Sequence, residues 1–169
     1  MKERRSASEL IRREPLRDIG LFAGLSDDAL DALLADLTVA TVEAGEFVMR
    51  EGETARDMFV VIGGELEVVK KTPSGSEARF AMLGPGDWVG EMSILDVMPR
   101  SATVRSLAPS LLLVMSAGDL DKLYRRDLTS YAMVVMNIAR ELSRRLRVAD
   151  GIVANVVATV WTEYLGHKK

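Results

Sequence analysis

Between residues 84 and 104 the chain reads GPGDWVGEMSILDVMPRSATV, a stretch whose residue types and spacing suit one chemistry. Gly90 lets the backbone approach a ligand closely. The amides of Glu91 to Ser93 follow, placed to open a helix whose N-terminus attracts anions. Arg100 supplies a permanent cation with a fork of donors matched to phosphate oxygens. Glu91 offers a carboxylate that accepts from sugar hydroxyls. A phosphate cradle beside a sugar acceptor describes a nucleotide pocket.

Such a site needs a scaffold, and the pattern on either side predicts one. Upstream, LFAGLSDDALDALLADL carries Ser26 as an N-cap and Asp27 and Asp28 in the first turn. Leu30, Leu33, Leu34 and Leu37 form its helical stripe. From about residue 39 to 115 the period shortens. Leu66 and Val68 alternate with Glu65 and Glu67, as in a half-buried strand, and Lys70 to Ser76 reads as a hairpin turn. Glycines and prolines recur between short runs, which predicts a small antiparallel roll or barrel. After Ser116 the chain turns helical. Val135, Ile138, Leu142, Leu146, Ala149, Val153, Val156 and Val160 alternate spacings of three and four, an apolar seam suited to another helix. Gly151 is a candidate kink, and the β-branched run beyond it leaves helix and strand both open there.

Composition narrows the function classes. The 169 residues carry a net charge of −3 and no cysteine, so no disulfide, thiolate metal site or cysteine nucleophile exists. An acidic balance argues against a broad nucleic-acid footprint. The first residues, MKERRSASELIRREP, lack the apolar core of a secretory signal, and their mixed charge reads as a solvated helix. The run GIVANVVATVW is too short to span a bilayer. A soluble cytoplasmic protein without membrane contact is expected. The single histidine, His167, reads as tail beside Lys168 and Lys169, and no nucleophile–base pair or metal cluster stands out, so neither an enzyme nor a bound cofactor is expected.

The motif GEMSIL followed by PRSATV resembles the phosphate-binding cassette of the cyclic nucleotide-binding domain family. That family is shared by catabolite activator-type regulators, cyclic nucleotide-dependent kinases and cyclic nucleotide-gated channels. The resemblance extends from LFAGLSDDALDAL through AGEFVMREGETARDMFVVIGGELEVV to ELSRRLRVAD. It implies an α+β fold: an antiparallel β-roll (a jelly-roll-like, double-stranded β-helix) flanked by N-terminal helices and long C-terminal helices. The expected division is an N-terminal helical segment at 1–20, the roll at 21–127 with its cassette at 84–104, and C-terminal helices at 128–169.

The resemblance also implies residue roles. Arg100 would pair with the cyclic phosphate, with Ser101 adding a hydroxyl and Ala102 an amide. Glu91 would accept from the ribose 2′-hydroxyl, while Gly90 and the amides of Met92 and Ser93 line the sugar-phosphate. Val68 and Phe80 would approach the base from the roll, and Ala149 and Asp150 from the C-terminal helix. Arg145 matches an arginine that in some members approaches the ribose-binding glutamate. Asp150 by itself reads as a surface carboxylate; over a base it would favour guanine, whose edge donates two hydrogen bonds. The ligand is therefore cAMP or cGMP, with cAMP preferred. The expected role is a regulatory sensor whose C-terminal helices move on binding and form a homodimer or meet an unknown protein effector. Direct contact with nucleic acid is not expected of these helices. Two alternatives stand beside it: an interaction module with little nucleotide affinity, and a sensor for a cyclic dinucleotide.

Overall fold

The computed structural model describes residues 5–166, with side chains described as far as Thr162. The expectations for Lys2 to Arg4 and for the tail from His167 to Lys169 fall outside that range.

The N-terminal stretch differs from the single solvated helix its charges predict. A two-residue strand β1 (Arg5–Ser6) is followed by two single-turn helices, α1 (Ala7–Leu10) and α2 (Glu14–Arg17). Mixed charge concealed the apolar positions that decide its placement. Ala7, Ile11, Leu16 and Ile19 are buried in the same cluster as Leu30, Met115 and Leu123. A 3-10 turn (Gly20–Phe22) leads into α3 (Asp27–Asp36), which Ser26 caps by accepting from the Ala29 amide at 3.3 Å. Leu30, Leu33 and Leu34 are its buried stripe, as the spacing predicts.

The roll follows as β2 (Thr38–Val42), β3 (Phe47–Met49), β4 (Asp57–Gly63), β5 (Leu66–Lys71), β6 (Glu77–Leu83) and β7 (Trp88–Val89). A short helix α4 (Met92–Leu95) interrupts it before β8 (Thr103–Ser106) and β9 (Ser110–Ser116). The strands pair antiparallel in two sheets, ordered β1-β2-β9-β4-β7 and β3-β8-β5-β6. This is the expected antiparallel roll.

Period-two alternation explains why β4 and β9 are apolar nearly throughout. Met58 and Val60 on β4, with Leu113 and Met115 on β9, face the helices. Phe59 and Val61, with Leu112 and Val114, face the second sheet. A central sheet covered on both faces requires such runs. On β5, Leu66 points into the roll as its alternation predicts. Glu67 is buried as well, because the Nε atoms of Arg79 and Arg105 each close on it at 2.8 Å. Those two guanidiniums hold its carboxyl below the usual carboxylate range.

Two helices complete the chain. In α5 (Ala117–Arg126) Ser116 and Asp119 form a reciprocal capping box. The long α6 (Leu128–Gly166) runs without a break through Gly151 and through the β-branched segment after it. Its first half packs on the roll through Val134 and Ile138, both fully buried. Val135, on the predicted seam, is only partly buried. Beyond Leu142 the apolar residues Leu146, Val153, Val156, Val160 and Trp161 are exposed.

One glycine sets the entry to β5. A Cβ on Gly64, whose φ is +95°, would stand 2.1 Å from Ser110 Oγ and 2.6 Å from Ser110 Cα. Ser110 in turn bonds Ser106 at 2.8 Å and the Glu65 amide at 3.2 Å. Gly64→Ala is therefore expected to lower the unfolding free energy by about 2 kcal/mol or more. Denaturant titration measures it, and a midpoint equal to wild type would contradict the steric reading.

Candidate functional site

Arg100 is a buried cation at the edge of the roll. It is 4% exposed, and its guanidinium is held from three directions. One terminal nitrogen forms an ion pair with Asp57 at the start of β4. The other donates to Ser93 Oγ at 2.6 Å and to the Gly90 carbonyl at 3.2 Å. Ser93 Oγ itself donates to that carbonyl at 3.0 Å. Gly90 has to be glycine on two grounds. Its φ is +90°, and a Cβ would stand 2.7 Å from Arg100 Nη1 and 2.9 Å from the Asp57 carbonyl. The Arg100 Nε is buried without a hydrogen-bond partner among the described residues.

Glu91, the next residue, is 3% exposed and only half satisfied. Its Oε1 accepts from Arg145 Nη1 of α6 at 3.2 Å. Its Oε2 is buried with no partner among the described residues. Burial pushes the carboxyl above its ordinary range; the charges of Arg145 and, less strongly, Arg100 oppose that rise, and Glu141 adds to it. Arg145 is tethered twice more, donating to the Trp88 carbonyl at 2.9 Å and to Glu141 Oε1 at 3.1 Å. An anchored carboxylate with one idle oxygen is an acceptor awaiting a donor.

A cavity of about 730 Å³ opens over these groups. The cassette lines one side with Gly90, Glu91, Met92, Ser93, Arg100, Ser101 and Ala102. Val68 and Phe80 line it from the second sheet, and Arg145 and Ala149 from α6. Phe80 is 69% exposed and stands at the mouth. Asp150 is the exception among the residues picked out by sequence. It is exposed and does not line the cavity, because one residue beyond Ala149 the helix has turned by about 100°. Its carboxylate is the surface group that its own context predicts.

Several residues in and around the cavity carry no sequence signal. Asp57 opens an apolar strand, and nothing nearby in sequence marks it as the partner of Arg100. Leu83 and Val89 read as strand core, and Val148 and Ile152 as part of an apolar helix, yet all four line the cavity. Val97 closes α4 with φ +58°, a left-handed conformation that costs a β-branched residue about 1–3 kcal/mol. The neighbouring Asp96 supports the bend by accepting from the Met98 amide at 3.1 Å.

The raised carboxyl of Glu91 has a consequence for stability. Its folded-state pKa lies above its unfolded value, so the folded state binds the extra proton. Stability is then favoured below that window and declines as pH rises through it. Glu91→Gln removes the burial penalty and leaves Arg145, which is 36% exposed, in contact with water. The ligand-free variant should melt at a higher temperature than wild type at neutral pH, with the gap closing as pH falls. A variant melting lower at every pH would show that the ion pair outweighs desolvation.

Comparison with known proteins accords with this geometry. A family model described as "Cyclic nucleotide-binding domain" matches residues 39–127. A "CRP-like cAMP-activated global transcriptional regulator" of Mycobacterium tuberculosis is 29% identical over 86% of this chain and 63% of its own length. The "Pycsar effector protein BcPycTIR" of Burkholderia cepacia is 36% identical over 83% of this chain and 43% of its own. The crystal structure of the Thermus thermophilus catabolite activator protein superposes with a TM-score of 0.73 at 31% identity, covering 81% of this chain and 62% of that one. The chain thus spans less than two-thirds of the length of these relatives. On the family match, the fold and the cassette together, the chain belongs to the cyclic nucleotide-binding domain family.

Proposed function

We propose that the chain is a regulatory sensor that binds cAMP in the cavity between the roll and α6. The observation that carries this reading is the pairing, within one cavity, of Glu91, whose buried Oε2 is idle, with the Arg100 cassette. The cyclic phosphate docks against Arg100 with Ser101 and the Ala102 amide, and the ribose hydroxyl donates to Glu91. The base rests between Val68 and Phe80 of the roll and Ala149 of α6. Adenine is favoured because the base-side lining is apolar and Asp150 faces away from it. The mycobacterial relative is a cAMP-activated regulator by name, which supports the same choice.

Signalling follows from where α6 is held and where it is not. Arg145 ties the helix to Glu91, so ligand and helix share one carboxylate. The ligand shifts the helix only as far as it prefers one position over another. The exposed residues Leu146, Val153, Val156 and Val160 continue the heptad-like seam, and we assign them to pairing with a second copy of the chain. No catalytic step is part of this role.

Calorimetric titration tests the ligand. cAMP is expected to bind more tightly than cGMP, and Arg100→Ala to weaken it at least about tenfold. Dissociation constants above about 1 mM for both nucleotides, near −4 kcal/mol, would reject the sensor. Sedimentation tests the pairing: wild type should be dimeric and Val153→Glu, which places a charge on the seam, monomeric. A monomeric wild type would refute it.

A further inference from the structure

α6 meets the body of the molecule through a polar row as well as through Val134 and Ile138. Asn137, Glu141 and Arg145 are four residues apart and share one side of the helix. Asn137 is buried, and its amide nitrogen donates to the Leu21 carbonyl at 3.1 Å and to the Ala23 carbonyl at 2.9 Å. Its amide oxygen accepts from Arg140 at 2.9 Å. Those two carbonyls bracket the end of the 3-10 turn Gly20–Phe22.

The turn leads back to the cavity. The Trp88 ring lies 3.5 Å from where a Cβ of Gly20 would stand, and the Trp88 carbonyl accepts from Arg145. A closed circuit results: α6 to the turn through Asn137, the turn to β7 through Gly20 and Trp88, and β7 to α6 through Arg145. Val134 and Ile138 bury area, but burial is non-directional and lets a helix slide or rotate. The two amide bonds of Asn137 fix both its height and its rotation.

We propose that Asn137 is a positioning residue for the ligand. By pinning α6 to the Gly20–Phe22 turn, it sets the register at which Arg145 reaches Glu91, about two helical turns away. The sugar side of the cavity is thereby tuned from outside it. This tuning rests on the cavity being the nucleotide site.

A double-mutant cycle read by cAMP titration tests it. Asn137→Ala should weaken cAMP about fivefold or more in the wild-type background and less than about twofold when Arg145→Ala is already present. Equal losses in both backgrounds would make Asn137 merely structural and overturn the proposal. Hydrogen exchange of the ligand-free protein gives a second readout. The amides of Phe22, Ala23 and Leu25, bonded within the turn, should exchange faster in Asn137→Ala. Unchanged exchange would overturn the clamp whatever the chain binds, whereas a wild type that binds no cAMP would overturn the proposed function and the tuning together. If Asn137→Ala does not fold, Asn137→Gln, which keeps the amide but displaces it by one methylene, is read in the same way.

Discussion

The burial of one guanidinium organises the rest of the structure. A permanently charged group with 4% exposure persists only when its charge is paired and most of its donors are met, because desolvating it unpaired costs several kcal/mol. Arg100 is met by Asp57 from the first sheet, by Ser93 from α4 and by the carbonyl of Gly90. Each partner comes from a different local structure, so satisfying one side chain assembles three segments. Gly90 carries the tightest condition, since any Cβ there would collide with the arginine it helps to hold.

The scaffold around that arginine follows from alternation along β4 and β9. Residues on one face join the helices into a core, and those on the other close the roll. The start of β4 thereby delivers Asp57 to Arg100. The same helix-side core holds Val134 and Ile138, and the two amide bonds of Asn137 fix the first half of α6 against it. Past Leu142 the contacts become polar and few, and the helix leaves the core. Control of the helix therefore rests on directional bonds at its midpoint, where Arg145 meets Glu91.

Much of this was legible in the sequence, and what escaped it did so for physical reasons. The cassette is contiguous, so Gly90, Glu91 and Arg100 announce themselves together. Ser26 and its leucine stripe, and the hairpin after Lys71, are likewise local signals that the structure bears out. Asp57 and Asn137 were silent because their partners lie 43 and more than 100 residues away. The N-terminal stretch misled because its charges outnumber the few apolar side chains that tertiary packing selects. Alternation puts Glu67 on the solvent side of its strand, yet two arginines from neighbouring strands cover it. Asp150 keeps the surface position that its own context predicts, whereas the resemblance implies a place near the base.

The buried indole of Trp88 gives the molecule a property of another kind. Its ring rests on Gly20, its Nε1 has no hydrogen-bond partner among the described residues, and its carbonyl is gripped by Arg145. An indole in such dry surroundings emits at shorter wavelength than a wetted one. Trp161, the second tryptophan of the chain, is largely exposed on α6. The two therefore differ in colour as well as in place, and the protein carries its own optical gauge: one emitter seated under the arginine that ties helix to cavity, the other far along the helix beyond it.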